Sequence, residues 1–238
     1  MGTIGHKDLV ATIPIFIGYD TRESVAYHVF CQSVIDNSSV PVSFHPLSLK
    51  SLKQQYVETH NDGSNAFIYS RFLVPHLMGY EGWVIFVDGD MVCLGDIASL
   101  WALRDDKKAV QVVKHNYQTK HPQKYIGTSM QTHNSSYPRK NWSSVVLWNC
   151  GHPSNAMLTP GYVMDSSGTM LHRFQHLKDE EIGDIPKTWN WLCQEEGANE
   201  DANLIHYTLG VPAMQHYEDG PQASHWFNAL EGVTHVEI

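Results

Sequence analysis

The stretch that decides the fold is residues 83–94, WVIFVDGDMVCL. It opens on five bulky residues, Trp83, Val84, Ile85, Phe86 and Val87. A short apolar run of this kind suits a strand buried on both faces of a parallel sheet. The run stops abruptly at Asp88-Gly89-Asp90. Two carboxylates at the end of a buried strand are costly unless a cation sits between them. Glycine allows a tight turn there, and hard oxygen ligands suit Mg²⁺ or Mn²⁺. Asp-Gly is also an ordinary turn dipeptide, so a plain polar turn is the competing account. Ligands of open α/β sheets bind at the carboxyl ends of the strands, which favours a metal that carries a phosphate.

Upstream, Ile13–Gly18 (IPIFIG) reads as a first strand and Val42–Leu47, behind Pro41, as a second. Between them Val25, Ala26, Val29, Phe30 and Val34 recur at helical spacing, so Ser24–Val34 predicts a helix, with Asp20 or Thr21 placed to cap its start. Ala66–Met78 (AFIYSRFLVPHLM) predicts a longer helix carrying Arg71 among Phe67, Phe72 and Leu73. Downstream, Asp96–Trp101 predicts a short helix capped by Asp96, and Ala109–Val113 and Ser143–Trp148 predict strands. Pro160–Leu177 is expected to contain a further helix, Leu204–Leu209 a short strand and Ser224–Leu230 a terminal helix. Lys114–Lys140, rich in His, Tyr, Gln and Asn, is a long irregular region of the kind that usually carries function. Met1–Ala11 is polar and mixed, and is expected to fray. The β-α-β rhythm predicts an α/β, Rossmann-like fold with a mostly parallel central sheet flanked by helices. No linker or repeat divides the chain, so one domain over residues 1–238 is expected.

The net charge of -9 excludes a general phosphate-backbone binder, so no nucleic-acid partner is expected. No segment approaches ~20 consecutive apolar residues, so no membrane insertion is expected. Cys31, Cys93, Cys150 and Cys193 are scattered without a CxxC pair, and no basic-then-apolar leader is visible. The expected compartment is therefore the cytoplasm, with reduced thiols and chance Asn-x-Ser matches at Asn37, Asn134 and Asn141. The Walker lysine loop, GxGxxG and the serine nucleophile elbow are all absent.

Three predicted strands end in polar clusters: Gly18-Tyr19-Asp20, Asp88-Gly89-Asp90 and Asn149-Cys150-Gly151. In a parallel sheet these ends share one edge and could face one crevice. His206 interrupts the apolar run Leu204-Ile205-His206-Tyr207. A lone histidine in such a strand is more often a core residue than a ligand. His172 and His176 stand four apart, a spacing that serves packing or surface as readily as chemistry.

Together these residues resemble the nucleotide-sugar glycosyltransferases of the GT-A fold. The nearest group is family 8, with its glycogenin-like and lipopolysaccharide galactosyltransferase-like members and their bacterial and phage relatives. The likeness is collinear from about Ile13 to Pro212. IFIGYD resembles the strand that places a residue pair on uracil and ribose, which implies nucleotide contacts from Gly18, Tyr19, Asp20 and the nearby Arg22. YSRFLVPHL is similar to the Tyr-x-Arg helix, which implies that Arg71 reaches the diphosphate or braces the metal. FVDGD matches the DxD signature, implying metal binding by Asp88 and Asp90 and donor contacts at Asp88 and Gly89. VVLWNCG resembles a strand ending in Asn-x-Gly, implying Asn149 and Gly151 at the donor-sugar pocket. IPKTWN resembles the Leu-Pro-x-x-Trp/Phe-Asn segment, implying donor contacts from Trp189 and Asn190. IHYTLG stands where a late His completes the metal site, which reverses the odds on His206 and puts a Gly210 amide near the diphosphate.

The resemblance implies metal-dependent transfer of a sugar from a UDP-sugar donor to an unknown acceptor, with Mn²⁺ (or Mg²⁺) as cofactor and retention of anomeric configuration. Arg71 and Asn149 are expected at the reacting centre. The family's Asp-Gln-Asp string is replaced by LHRFQHLKDEE, so His172 and Gln175 are the candidates beside the anomeric carbon, with Asp179 and Glu180 as rivals. The basic residue usual after the late His is missing from HYTLGVPAMQH. That absence suits a degenerate nucleotide-sugar or metal-binding module. A metal-dependent phosphodiesterase or nucleotidyltransferase would use the same Asp pair, but would need further carboxylates beside it.

Overall fold

Strands β1 (Ile13–Gly18), β2 (Val42–Leu47), β3 (Trp83–Val87), β4 (Met91–Cys93) and β5 (Val110–Val112) form the first half of the protein. They are followed by β6 (Gln123–Lys124), β7 (Thr132–His133), β8 (Val145–Asn149), β9 (Ile182–Asp184), β10 (Trp191–Leu192) and β11 (Leu204–His206). These come from a computed structural model that describes residues 12–236; the Met1–Ala11 segment lies outside them. The central sheet has the order β2-β1-β3-β8-β5-β9, and two smaller sheets are β10-β11-β4 and the hairpin β6-β7.

β3 is buried on both faces, as its unbroken apolar run predicts. Val84 and Phe86 join a cluster with Phe72, Trp148 and Phe174 on one side of the sheet. Ile85 and Val87 join Ile13, Ile15, Ile17, Phe30 and Val34 on the other. Each such side chain contributes roughly 1.5–3 kcal/mol on burial, so the strand that leads into the Asp pair is anchored from both sides. β1 pairs parallel with both β2 and β3. β8 runs antiparallel to β3, with Val87 opposite Val145 and Trp83 opposite Asn149. The start of β8, not its end, therefore lies beside Asp88. This overturns the expectation that Asn149-Cys150-Gly151 faces the same crevice.

The helix predicted over Ala66–Met78 is instead a 3₁₀ turn, Ser70–Leu73, followed by one α-turn, Val74–Leu77. Pro75 has no N–H to donate and is tolerated only in a first helical turn, so the chain restarts there. Residues 160–177 likewise split into Pro160–Asp165 and Gly168–His172, capped by the hydroxyls of Thr159 and Ser167. The helix Ser24–Asn37 runs one turn further than predicted, and Asp96 caps Ile97–Trp101 as expected, accepting from Ala98 N–H at 3.0 Å. The terminal helix Ala223–Thr234 buries Trp226 and Ala229 against Ala26 and Val29 of Ser24–Asn37.

Candidate active site

The cleft is built where the C-terminal ends of β1 and β3 meet the N-terminal end of β8. Asp88 N–H donates to Ser144 O at 2.9 Å, which locks Asp88 beside the Ser143-Ser144 pair. The chain turns at Gly89, and β4 then pairs antiparallel with β11, setting His206 opposite Met91. Asp90 O accepts Tyr207 N–H at 2.9 Å across that pairing. Asp88, Asp90 and His206 are buried and offer ligand atoms that all lie within 4.8 Å of one another. Asp90 Oδ1 is buried and accepts no well-directed hydrogen bond, so acceptor capacity is left there for a cation. Oxygen and imidazole donors so placed fit a divalent metal.

The ring of His206 is held from behind. Its Nδ1 lies 3.0 Å from Asn190 Oδ1, and its Nε2 lies 3.3 Å from Asp90 Oδ1. Asn190 Nδ2 donates to Ser144 Oγ at 2.8 Å and to Asn141 O at 3.3 Å, so the oxygen of the carboxamide is what faces the imidazole. That orientation places the ring proton on Nδ1 and directs the Nε2 lone pair at the Asp pair.

Arg71 is 4% exposed and lies between the rings of Phe67 and Phe86, 5.2 and 5.3 Å from their centroids. Its Nη1 approaches Asp88 Oδ1 at 2.5 Å and donates to Ser143 O at 3.1 Å. Burial still pushes the Asp88 carboxyl up to about 6, against the pull of Arg71. Burial works against the Asp90 carboxylate too, yet the imidazole of His206 holds it below the usual range. Glu23 is buried with no partner for either carboxylate oxygen. Burial first, and then Asp90, raise its pKa well above the ordinary value. Ser143 Oγ lies 2.7 Å from His172 Nδ1, and burial with the nearby Arg71 charge keeps this imidazole neutral. Asn65, Lys124, Tyr125, Tyr137 and Thr208 complete the walls of the cleft.

The sequence model described as glycosyl transferase family 8 matches residues 14–151, more than half of the chain. The chain belongs to glycosyl transferase family 8. Protein CDI of Arabidopsis thaliana is 44% identical over 225 residues, covering 91% of this chain and 85% of that protein. Among solved structures, the bifunctional glycosyltransferase WbbM superposes with a TM-score of 0.65 at 11% identity, covering 97% of this chain. This chain spans 50% of the WbbM chain. The galactosyltransferase LgtC, solved with donor and acceptor sugar analogues, superposes with a TM-score of 0.57 at 11% identity, covering 94% of this chain and 98% of that one. At such identity these two show the fold, a mixed α/β GT-A architecture. The family makes the protein a glycosyltransferase. Among the described residues no helix is long and apolar enough to cross a membrane.

Within this family 8 transferase, Arg71, Asp88, Asp90, His206 and His172 line one cleft. Other expected site residues go elsewhere. Asn149 sits at the opposite sheet edge, donating to Lys108 O at 3.1 Å, and Gly151 lies there beside the backbone of Tyr80 and Gly82. Gln175 is exposed on the outer surface near Arg173, while Asp179 pairs with Arg139 at 2.5 Å and Glu180 faces solvent. Trp189 is a core residue, packed with Leu204 and Ile185, and Asn190 braces His206. Both oxygens of Asp20 are taken up by Arg22 and by Ala66 N–H at 2.8 Å, so this pair ties the 64–66 loop to β1. Tyr19 packs edge-on against Tyr27 at 5.6 Å. Gly18 and Gly89 let two strand ends touch, since a Cβ on Gly89 would lie 2.5 Å from Gly18 O. Gly210 has its N–H spent on Tyr207 O at 3.0 Å, so that amide is not free for a diphosphate.

Sequence reasoning missed Ser143 and Ser144 because it ran β8 parallel to β3. It missed Lys124, Tyr125 and Tyr137 because they lie in the irregular 114–140 region, where the density of polar and aromatic residues was the available signal.

Proposed function

We propose that the enzyme transfers a sugar from a UDP-sugar to an acceptor hydroxyl, with a divalent ion held by Asp88, Asp90 and His206. The observation that carries this is the buried Asp-Asp-His group beside Arg71 in a polar cleft of a family 8 fold. When bound, the ion neutralises the diphosphate and acts as a Lewis acid on the leaving nucleotide. The imidazole in the ligand set favours Mn²⁺ over Mg²⁺. Arg71 sets a fixed positive charge where negative charge grows as the glycosidic bond breaks. Asn190 keeps the His206 lone pair aimed inward, and the neutral His172 with Ser143 forms the wall facing the sugar.

Membership of family 8 is the ground for retention in this reading. The carboxylates lining the cleft are Asp88 and Asp90, both engaged by the Arg71 and His206 network, so neither is free as a covalent nucleophile. A front-side substitution, in which the leaving phosphate takes the acceptor's proton, fits that inventory. Glu23 is a further carboxylate near the pair, but it stands outside the 4.8 Å group, which weighs against a two-metal phosphodiesterase.

The test is incubation with Mn²⁺ and a panel of nucleotide sugars, with assay of released nucleotide and NMR of the product. Release of UDP from one donor, abolished by EDTA and by Asp90→Asn, is expected. Tight Mn²⁺-dependent UDP binding without release from any donor would establish the non-transferring module instead.

A further inference from the structure

We propose that Lys124, carried across the cleft by the β6–β7 hairpin, is the second diphosphate-binding cation of the donor site, opposite Arg71. The proposal rests on the nucleotide-sugar reading above and names the chain's own answer to a charge deficit in its cleft. Beyond Lys187 the sequence contains no Lys or Arg. The wall formed by His206 and Thr208 therefore supplies no fixed positive charge. Arg71 and Lys124 are the arginine and lysine among the residues lining the cleft. Arg71 is already committed to Asp88 and to Ser143 O. The Lys124 amine makes no ion pair or hydrogen bond among the described residues, and lies 5.0 Å from the centroid of the Tyr125 ring.

Its backbone is held firmly. Lys124 pairs with Thr132, and Gln123 with His133. Tyr125 N–H donates to Leu209 O at 2.6 Å, and Ile126 N–H to Tyr217 Oη at 3.1 Å. Both contacts tie the hairpin to the segment that follows His206. Tyr125 takes a φ of +56°, a left-handed conformation a tyrosine rarely adopts. Such strain persists where surrounding contacts over-determine it, commonly at ligand clamps.

The amine stands among charged groups of both signs. Burial depresses the Lys124 pKa, Asp90 and Asp88 counter that, Arg71 adds to the depression, and Glu23 opposes it. Asp88 and Asp90 bring two carboxylates to the cleft, and Arg71 and Lys124 two basic groups. A divalent ion and the diphosphate of a UDP-sugar, which carries two negative charges, then cancel. Without Lys124 the loaded site would hold one uncompensated negative charge, a costly state for a buried cluster. A lysine suits the position because its compact ammonium can meet several phosphate oxygens as a point charge.

Calorimetric titration of the full chain tests this, comparing wild type with Lys124→Met and Lys124→Arg. Each protein is titrated with Mn²⁺ alone, then with UDP and with uridine in saturating Mn²⁺. Lys124→Met is expected to bind Mn²⁺ and uridine nearly as wild type does, but UDP about 10–100-fold more weakly, the worth of one charge-assisted contact. Lys124→Arg should recover most of the UDP affinity. Unchanged UDP affinity in folded Lys124→Met, or an equal fall for UDP and uridine, overturns the proposal. If Lys124→Met fails to fold, the titrations are run on Lys124→Gln; failure of both assigns the amine to the fold and also overturns it. Should wild type itself not bind UDP, the nucleotide-sugar reading fails separately. Inorganic pyrophosphate then decides on Lys124: weaker binding to the Met variant keeps the anion site, and equal or absent binding removes it.

Discussion

Replacing Asn190 with alanine should uncouple the metal site from the fold that aims it. The side chain is fully buried and holds three contacts: 3.0 Å to His206 Nδ1, 2.8 Å to Ser144 Oγ and 3.3 Å to Asn141 O. Deleting it strands a buried ring N–H, so apo stability should fall by roughly 4–6 kcal/mol, at about 1 kcal/mol for each of the lost bonds plus about 1–3 kcal/mol for the unsatisfied donor. With the ring free to turn or change tautomer, Mn²⁺ affinity should fall by about 10–100-fold, the usual cost of losing the partner that orients a ligating histidine. The assay is thermal unfolding with and without Mn²⁺, beside direct calorimetry. At a concentration of 100 times the wild-type Kd, the ion should stabilise wild type by about 2.7 kcal/mol. A variant that binds 100-fold more weakly would gain only about 0.4 kcal/mol by the same relation. Asn190→Asp keeps an acceptor for the Nδ1 proton and should retain more affinity than the alanine variant. A folded Asn190→Ala protein with wild-type Mn²⁺ affinity would refute the reasoning, either because His206 needs no brace or because it is not a ligand.

Gly89→Ala puts a Cβ 2.5 Å from the carbonyl oxygen of Gly18, so it should cost about 1–3 kcal/mol and weaken Mn²⁺ binding by forcing the two strand ends apart. Unchanged melting and metal titration would show that the close approach is immaterial. Glu23 has a raised pKa in the fold, so the folded chain binds its proton more tightly than the unfolded chain does. In EDTA, wild type should therefore lose stability as pH rises from about 4.3 through that raised value, while Glu23→Gln, which cannot ionise, gains on it over the same window. Parallel pH profiles for the two proteins would refute this. Arg71→Met preserves much of the packing between Phe67 and Phe86 but removes the charge, and turnover should drop about 100–1,000-fold in the presence of Mn²⁺. A folded variant with normal turnover would return Arg71 to a packing role.

Local chemistry was enough to place β1 and β2 at their observed bounds and to find β3, because unbroken apolar runs between polar turns leave few other structures open. It also made Asp88, Asp90, Arg71 and His206 conspicuous, since a charged or ionisable group in an apolar run is costly, but on local pattern His206 read as a core residue and only the family resemblance made it a ligand candidate. The direction of β8 was not legible. Val145–Asn149 looks alike on either strand orientation, and only pairing with β3 and β5 carries Asn149 away from the cleft and brings Ser143 and Ser144 into it. Asn190 and Trp189 show the same limit within one segment. Adjacent in sequence, they diverge because one side chain turns into the core and the other meets His206 through the pairing of β10 with β11. Lys124 is the extreme case: a lysine in an irregular region is ordinarily a surface residue. Hydrogen bonds from Tyr125 and Ile126 to residues more than eighty positions away decide that it faces the cleft instead, and no local pattern encodes contacts at that separation.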